Sequence, residues 1–147
     1  MKLGFIGAGN MGGAIIKGFI KSNKVNASDI NVIRKNKEAL DNMAQELGIN
    51  PISSYKDLIE QSDVVFMAVK PVMFKDVLGE ISAYIKDSDK LLVSMAAGLT
   101  TDSIEKMLGF SHPIIRIMPN INAEILMSAT AICKNDKATI SSFDYIK

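Results

Sequence analysis

The start of the chain joins a short apolar strand directly to a glycine-rich turn. Residues 2–6 have the apolar character of a buried strand, and residues 7–12 have the sequence G-A-G-N-M-G. A helical pattern begins at Met11, so the G-x-G-x-x-G spacing lies between a predicted strand and a predicted helix, the context expected of a dinucleotide-binding turn. A glycine turn with a purely structural role is the alternative interpretation.

Each glycine of this turn has its own expected role. Gly7 permits a tight turn out of the strand, and Gly9 has no Cβ, so that a pyrophosphate can approach the backbone. Gly12 allows the helix to pack closely against the strand. The free N–H groups and the positive dipole end of the helix would then face the phosphates.

Strand and helix patterns alternate along the rest of the chain. The continuous apolar run Val64–Val69 is typical of a central parallel strand that is covered on both faces. The alternation predicts an α/β, Rossmann-type doubly wound fold with a mostly parallel sheet and helices on both faces. The predicted strands are residues 2–6, 30–33, around 52, 64–69, 91–94, 114–118 and 128–134; the predicted helices are 11–21, 37–47, a segment capped by Ser53 or Ser54, a segment through 77–85, and one opened by Thr100 or Thr101.

Length and composition predict one globular domain. The chain has 147 residues and is 48% hydrophobic, and we interpret residues 1–147 as a single NAD(P)-binding domain. A net charge of +1 and the lack of a long apolar run give no reason to expect nucleic-acid or membrane binding.

The single cysteine excludes an intramolecular disulfide, and no signal-peptide pattern is seen, so we expect a cytoplasmic protein. Residues 141–147 have the pattern of an interrupted helix.

The end of the second predicted strand carries two cations. NAD-specific domains usually place Asp or Glu there to bind the ribose hydroxyls, whereas this chain has Arg34 and Lys35, with Arg34 22 positions after Gly12. Cations without an acid suit the 2′-phosphate of NADP(H) better than a free hydroxyl. We therefore expect NADP(H) to be preferred over NAD(H); the alternative is that both side chains are simply solvated.

Three further loops follow predicted strands, where ligands of such sheets bind. The loop after the fourth predicted strand has a backbone fixed by proline and a lysine charge. The loop after the fifth has small residues that leave room for a flat ring. The loop after the sixth has an amide that could bind a substrate carboxylate or the nicotinamide amide. Ordinary strand-end turns remain the alternative for all three. The residues concerned are Ala68, Val69, Lys70 and Pro71; Ala96, Ala97 and Gly98; and Asn120.

The sequence offers no obvious catalytic side chain. His112, the one histidine, precedes Pro113 in a predicted loop, and we expect it to be exposed and not catalytic. No cluster of His, Cys, Asp or Glu has the spacing of a metal site, and no Ser-His-Asp set can be assembled. Catalytic residues are therefore left unassigned, and no metal is expected.

Four segments together resemble the pyrroline-5-carboxylate reductase family. They are residues 4–12, Ala68–Pro71, Ser94–Thr100 and Arg116–Asn120, in the family's order and approximate spacing. The resemblance implies NAD(P)H-dependent reduction of 1-pyrroline-5-carboxylate to L-proline by hydride transfer from nicotinamide C4 to the C=N carbon. It also implies that the pyrophosphate is held by Ile6, Gly7, Ala8, Gly9, Asn10 and Met11, that Arg34 and Lys35 meet the adenosine ribose, and that the loops Ala68–Pro71 and Ala96–Gly98 line the nicotinamide half.

The chain departs from the family's pattern in three respects. Ile121 and Asn122 stand where the family usually continues Thr-Pro, and Tyr55 stands where it often has an Asn near the cofactor, so Tyr55 is left out of the predicted site. The 147 residues do not include a counterpart of the family's C-terminal helical half, which in the resembled family builds the homo-oligomer and much of the substrate pocket. We therefore expect this chain to bind cofactor better than it catalyses.

Two other functions stay open. One is a reductase of a related imine or hydroxyacid, which the change at Ile121 and Asn122 keeps possible. The other is a reductase-like module that holds NADP without turnover and regulates a partner.

Overall fold

The structure, a computed structural model, describes residues 1–96, 98–118 and 131–134. The strands within these residues are β1 (Leu3–Ile6), β2 (Ile30–Ile33), β3 (Asn50–Pro51), β4 (Val64–Met67), β5 (Leu91–Ser94), β6 (Ile114–Met118) and β7 (Ala131–Lys134). The α-helices are α1 (Asn10–Lys21), α2 (Lys37–Leu47), α3 (Tyr55–Glu60), α4 (Phe74–Ile85) and α5 (Thr101–Leu108). Short 3-10 helices cover Ala27–Asp29 and Pro71–Met73.

All seven strands belong to one sheet with the order β3-β2-β1-β4-β5-β6-β7. Strands β1 to β6 are parallel, and β7 adds to β6 in the antiparallel direction. The strand order reverses direction between β1 and β4, which is the point where doubly wound sheets open a crevice for a ligand. The predicted α/β, doubly wound and mostly parallel fold is therefore confirmed.

The helices cover both faces of the sheet because alternate strand residues point to opposite sides. On one face, Ile16 of α1 and Leu40 of α2 join a buried cluster with Phe5 of β1. The aromatic ring of Phe5 stacks on that of Phe66 with ring centroids 4.5 Å apart, which makes this layer of the core tightly packed. On the other face, α3, α4 and α5 form a second cluster, to which Leu78 of α4 contributes a fully buried side chain.

The third and fourth predicted strands were wrong by one or two residues, and the first begins one residue later than predicted, at Leu3. The third strand was expected around Ile52 but lies at Asn50–Pro51, because its extent is set by pairing with β2 rather than by its own hydrophobicity. Pro51 is tolerated there because β3 is an edge strand. The apolar run beginning at Val64 continues to Val69, yet β4 ends at Met67, where the backbone turns toward the glycine-rich segment.

Candidate functional site

Backbone hydrogen bonds join the ends of the central strands at one edge of the sheet. The amide of Gly7 donates to the Ile33 carbonyl at 2.8 Å, and the amide of Ala68 donates to the Ile6 carbonyl at 2.9 Å. The amide of Met95 donates to the Met67 carbonyl at 3.2 Å. The loops after β1, β2, β4 and β5 therefore start side by side along the carboxyl edge, as predicted for the binding edge of this fold.

The glycine turn is closed on the side that faces the protein. Gly7 has φ +87°, and a Cβ on it would lie 2.8 Å from the Ala68 carbonyl oxygen, so only glycine fits without strain. A Cβ on Gly12 would lie 2.9 Å from the Ala68 Cβ. The tight turn predicted at Gly7 and the close packing predicted at Gly12 are both confirmed, and both are made against the same residue after β4.

The same turn is open on the other side, at Gly9. A Cβ built on Gly9 would have no heavy atom within 4 Å. Gly9 is also the N-cap of α1 and offers no side chain to cap it, and the first turn of the helix carries no acidic residue. The N–H groups that begin an α-helix lack intrahelical partners, so this space combines free donors with the positive end of the helix dipole. Such a cradle fits a pyrophosphate.

A cleft of about 680 Å³ opens beside this turn, between the ends of β2 and β3. We call it the β2–β3 cleft. Arg34, Lys35 and Lys37 line one part of it, and the acidic side chain of Asp41 lies among them. Arg34 is partly buried, whereas the two lysines are exposed. The structure thus brings Arg34 and Lys35 together in one concave site, with a third cation that the sequence reasoning did not select.

The opposite wall of the cleft comes from the segment between β3 and α3. Ser53, Ser54 and Tyr55 contribute to it. The Ser54 hydroxyl accepts from the Asp57 amide at 3.2 Å and so caps α3, which decides between the two predicted caps. Burial and, secondarily, the charge of Glu80 raise the pKa of the Tyr55 phenol above its ordinary value, so that the phenol stays neutral at physiological pH.

The loops after β4 and β5 differ in exposure. Lys70 and Pro71 are exposed at the edge, and Val69 is half-buried. Ala96 is buried and its amide bonds the Ser94 hydroxyl at 3.3 Å, while Gly98 is exposed with φ +79°. Three predictions lie outside the described residues: the role of Ala97, the role of Asn120, and the helix start at 141–147.

The prediction that His112 is exposed was wrong. Only 2% of the residue is exposed, because its ring packs edge-on to Phe110 with ring centroids 6.1 Å apart and its Nε2 contacts the Lys90 carbonyl at 2.5 Å. Burial lowers the pKa of the imidazole, while the bond to Lys90 and the charge of Glu105 partly oppose this shift. His112 precedes β6, at the amino edge of the sheet and far from the glycine turn, and so has a structural position.

The part of the chain that the structure describes holds neither a group of metal ligands nor a helix suited to a membrane. No group of three or more His, Cys, Asp or Glu side chains there could hold a metal ion. Among the described helices, none is both long and apolar enough to cross a bilayer.

The chain is similar to pyrroline-5-carboxylate reductases, which confirms the resemblance seen in its motifs. It is 43% identical over 133 residues to the curated pyrroline-5-carboxylate reductase of Staphylococcus haemolyticus (strain JCSC1435), a match that covers 90% of this chain and 49% of that protein. The solved pyrroline-5-carboxylate reductase of Coxiella burnetii superposes with a TM-score of 0.92 at 30% identity, over 99% of this chain and 53% of that one. The Plasmodium falciparum pyrroline carboxylate reductase, solved with NADP bound, superposes with a TM-score of 0.88 at 28% identity, over 99% and 52%. This chain spans about half the length of these relatives.

A family model described as "NADP oxidoreductase coenzyme F420-dependent" matches residues 2–98. The matched segment begins at β1, contains the glycine turn and both walls of the β2–β3 cleft, and ends at Gly98 in the loop after β5. On this match, the chain belongs to the NADP oxidoreductase family described as coenzyme F420-dependent.

Proposed function

We propose that this chain binds NADP(H) and forms the cofactor-binding part of a pyrroline-5-carboxylate reductase, an oxidoreductase that reduces 1-pyrroline-5-carboxylate to L-proline. The observation that carries the proposal is the open, uncapped start of α1 at Gly9, located where the strand order reverses between β1 and β4. The similarity to pyrroline-5-carboxylate reductases supports the substrate. Their greater length suggests that further parts of the substrate site and of the homo-oligomer lie outside the described residues.

The residues of this chain would act by binding and orientation rather than by acid–base chemistry. The backbone of Ile6–Met11 would hold the pyrophosphate, and the loops Ala68–Pro71 and Ala96–Gly98 would line the nicotinamide half. When bound, the reduced nicotinamide supplies a hydride. Holding the ring in one orientation at the sheet edge, with water excluded, is the protein's contribution to the rate. Asn120 remains our candidate on the substrate side.

We further propose that NADP(H) is preferred over NAD(H). The β2–β3 cleft supports this because it gathers Arg34, Lys35 and Lys37 beside the site of the adenosine ribose. A 2′-phosphate would gain charge-assisted hydrogen bonds from these side chains, which a 2′-hydroxyl cannot match. Among the described residues that line this cleft, Asp41 is the one acid, and it lies on α2 rather than directly after β2.

Replacing Arg34 by aspartate tests this preference. We expect Arg34→Asp to weaken NADPH binding by about 10- to 150-fold, the equivalent of one charge-assisted contact of roughly 1.5–3 kcal/mol, and to change NADH binding much less. The measurement is a titration of each variant with NADPH and, separately, NADH.

The matched control is Lys86→Asp. It makes the same change of charge on an exposed residue at the end of α4, near the amino edge of the sheet, and should leave both affinities unchanged. Equal losses for NADPH and NADH in Arg34→Asp would show that this side chain does not read the 2′-phosphate.

A cofactor-holding module without turnover is the second candidate, because the features that carry the proposal, the open turn at Gly9 and the β2–β3 cleft, bind a nucleotide and assign no catalytic side chain. The two functions are separated by adding 1-pyrroline-5-carboxylate to the NADPH complex and following oxidation of NADPH. Oxidation with formation of proline supports the reductase, oxidation only with other imines supports a related substrate, and binding without oxidation supports the module.

A further inference from the structure

The β2–β3 cleft has an apolar floor as well as a cationic rim. Ile33 and Ile52 line it at the ends of β2 and β3, and the buried side chain of Leu40 closes it from α2. A phosphate alone needs only the cations. An apolar floor beside cations suits a ligand in which a flat or apolar part is joined to an anionic part.

Tyr55 gives the cleft its one aromatic side chain among the described lining residues. The residue is partly exposed, and one side of it packs against the core cluster beneath α3 and α4. Because Tyr55 both packs against this cluster and lines the cleft, the cluster restricts the side chain at the cleft wall. A restricted aromatic ring loses little conformational entropy when a ligand stacks on it.

We propose that Tyr55 is the residue on which the adenine ring of the dinucleotide stacks, while the charge of Arg34, which lines the same cleft, meets the 2′-phosphate. This inference rests on the proposed nucleotide-binding function and adds to it a residue that the sequence analysis left out. Aromatic side chains are platforms on which a base of any kind can stack. The neutral phenol keeps this stacking constant over the physiological pH range.

Tyr55 and Arg34 then make separable contributions to binding. Adenine is common to NADPH, NADH and adenosine monophosphate, so loss of the Tyr55 ring weakens all three alike. The 2′-phosphate occurs only in NADPH, so loss of the Arg34 charge affects mainly that cofactor. A Tyr55 effect that spares NADH would contradict stacking.

The experiment compares Tyr55→Leu, Tyr55→Phe and Tyr84→Leu by titration with NADPH, NADH and adenosine monophosphate. Base–aromatic stacking predicts a loss of about 5- to 150-fold for every ligand in Tyr55→Leu. Tyr55→Phe keeps the ring and should bind like the unaltered chain. Tyr84→Leu is the matched control, since Tyr84 lies 45% exposed on α4, outside the cleft lining.

The outcomes distinguish failure of the inference from failure of the proposed function. Equal loss in Tyr55→Phe and Tyr55→Leu would assign the effect to the hydroxyl and overturn stacking, as would no loss in either. If the unaltered chain bound none of the three nucleotides, the proposed function itself would fail. If Tyr55→Leu did not fold, nuclear Overhauser contacts between the Tyr55 ring and adenine H2 in the unaltered chain would decide, and their absence would overturn the inference.

Discussion

At the scale of single residues, His112 is a titratable group whose imidazole is almost fully buried between an aromatic ring and a backbone carbonyl. An His-Pro dipeptide between a helix and a strand is typical of an exposed loop, yet Phe110 and the Lys90 carbonyl enclose this imidazole. Nothing local in the sequence indicates that enclosure, because Lys90 precedes a different strand and is brought close only by the pairing of β5 with β6.

Burial of His112 predicts a pH-dependent stability. Its pKa is lowered in the folded protein, first by desolvation and against the opposing effects of Lys90 and Glu105. As the pH falls through the ordinary imidazole value of about 6.5, the unfolded chain therefore takes up a proton before the folded one does. The free energy of unfolding therefore decreases as the pH falls from about 6.5 to the lowered pKa of His112 in the folded protein. Below that pKa, His112 causes no further change.

Denaturant unfolding at a series of pH values between 8 and about 5 measures this effect. The comparison is with His112→Gln, which keeps an amide donor near the Lys90 carbonyl but cannot titrate. We expect the free energy of unfolding of the unaltered chain, relative to that of His112→Gln, to decrease as the pH falls below about 6.5. A constant difference across the series would show that His112 is not the group responsible.

At the scale of helices and strands, the bounds of α2 agree with the predicted residues 37–47. In the structure the Asn36 side chain caps the start of this helix and Gly48 ends it with φ +80°. Paired candidates could not be resolved, as at Thr100 and Thr101, because two adjacent threonines have the same chemistry. The β3 boundary was missed for a different reason, since a two-residue strand depends on its neighbour more than on its own side chains.

The cap of α5 is a testable stabilising contact. The Thr100 hydroxyl accepts from the Ser103 amide at 3.1 Å, and Thr101 is the first residue inside the helix. We expect Thr100→Ala to lower the free energy of unfolding by about 1 kcal/mol, whereas Thr101→Ala makes the same deletion without removing a cap. Thermal unfolding checks this: the first variant should melt roughly 2–4 °C lower, and equal melting temperatures for the two variants would refute the cap's role.

At the scale of the whole molecule, the sequence predicted those parts of the candidate site that are formed by residues close together in the chain. The glycine turn and the strand-end cations could be predicted because each is local. Tyr55 was left out because the resembled family often has an Asn at this position. Its place in the cleft follows from the pairing of β3 with β2, two strands from β1. The position of Tyr55 after the third strand was a usable signal, since the loops of adjacent parallel strands share an edge.

Cofactor binding should stabilise the whole fold, because the proposed site joins loops from four strands. A ligand that binds only the folded state at 100 times its Kd adds about 2.7 kcal/mol, which corresponds to a rise of roughly 5–10 °C in Tm for a chain of this size. We expect NADPH to produce that shift.

Gly9→Val is the informative variant, because the valine has room in the free protein and would occupy the space proposed for the pyrophosphate. Its own Tm should fall by only a few degrees, in line with an N-cap change of roughly 1 kcal/mol or less, and it should show no NADPH shift. A full shift in Gly9→Val would place the cofactor away from the glycine turn, and no shift in the unaltered chain would mean that these loops do not form a competent cofactor site by themselves.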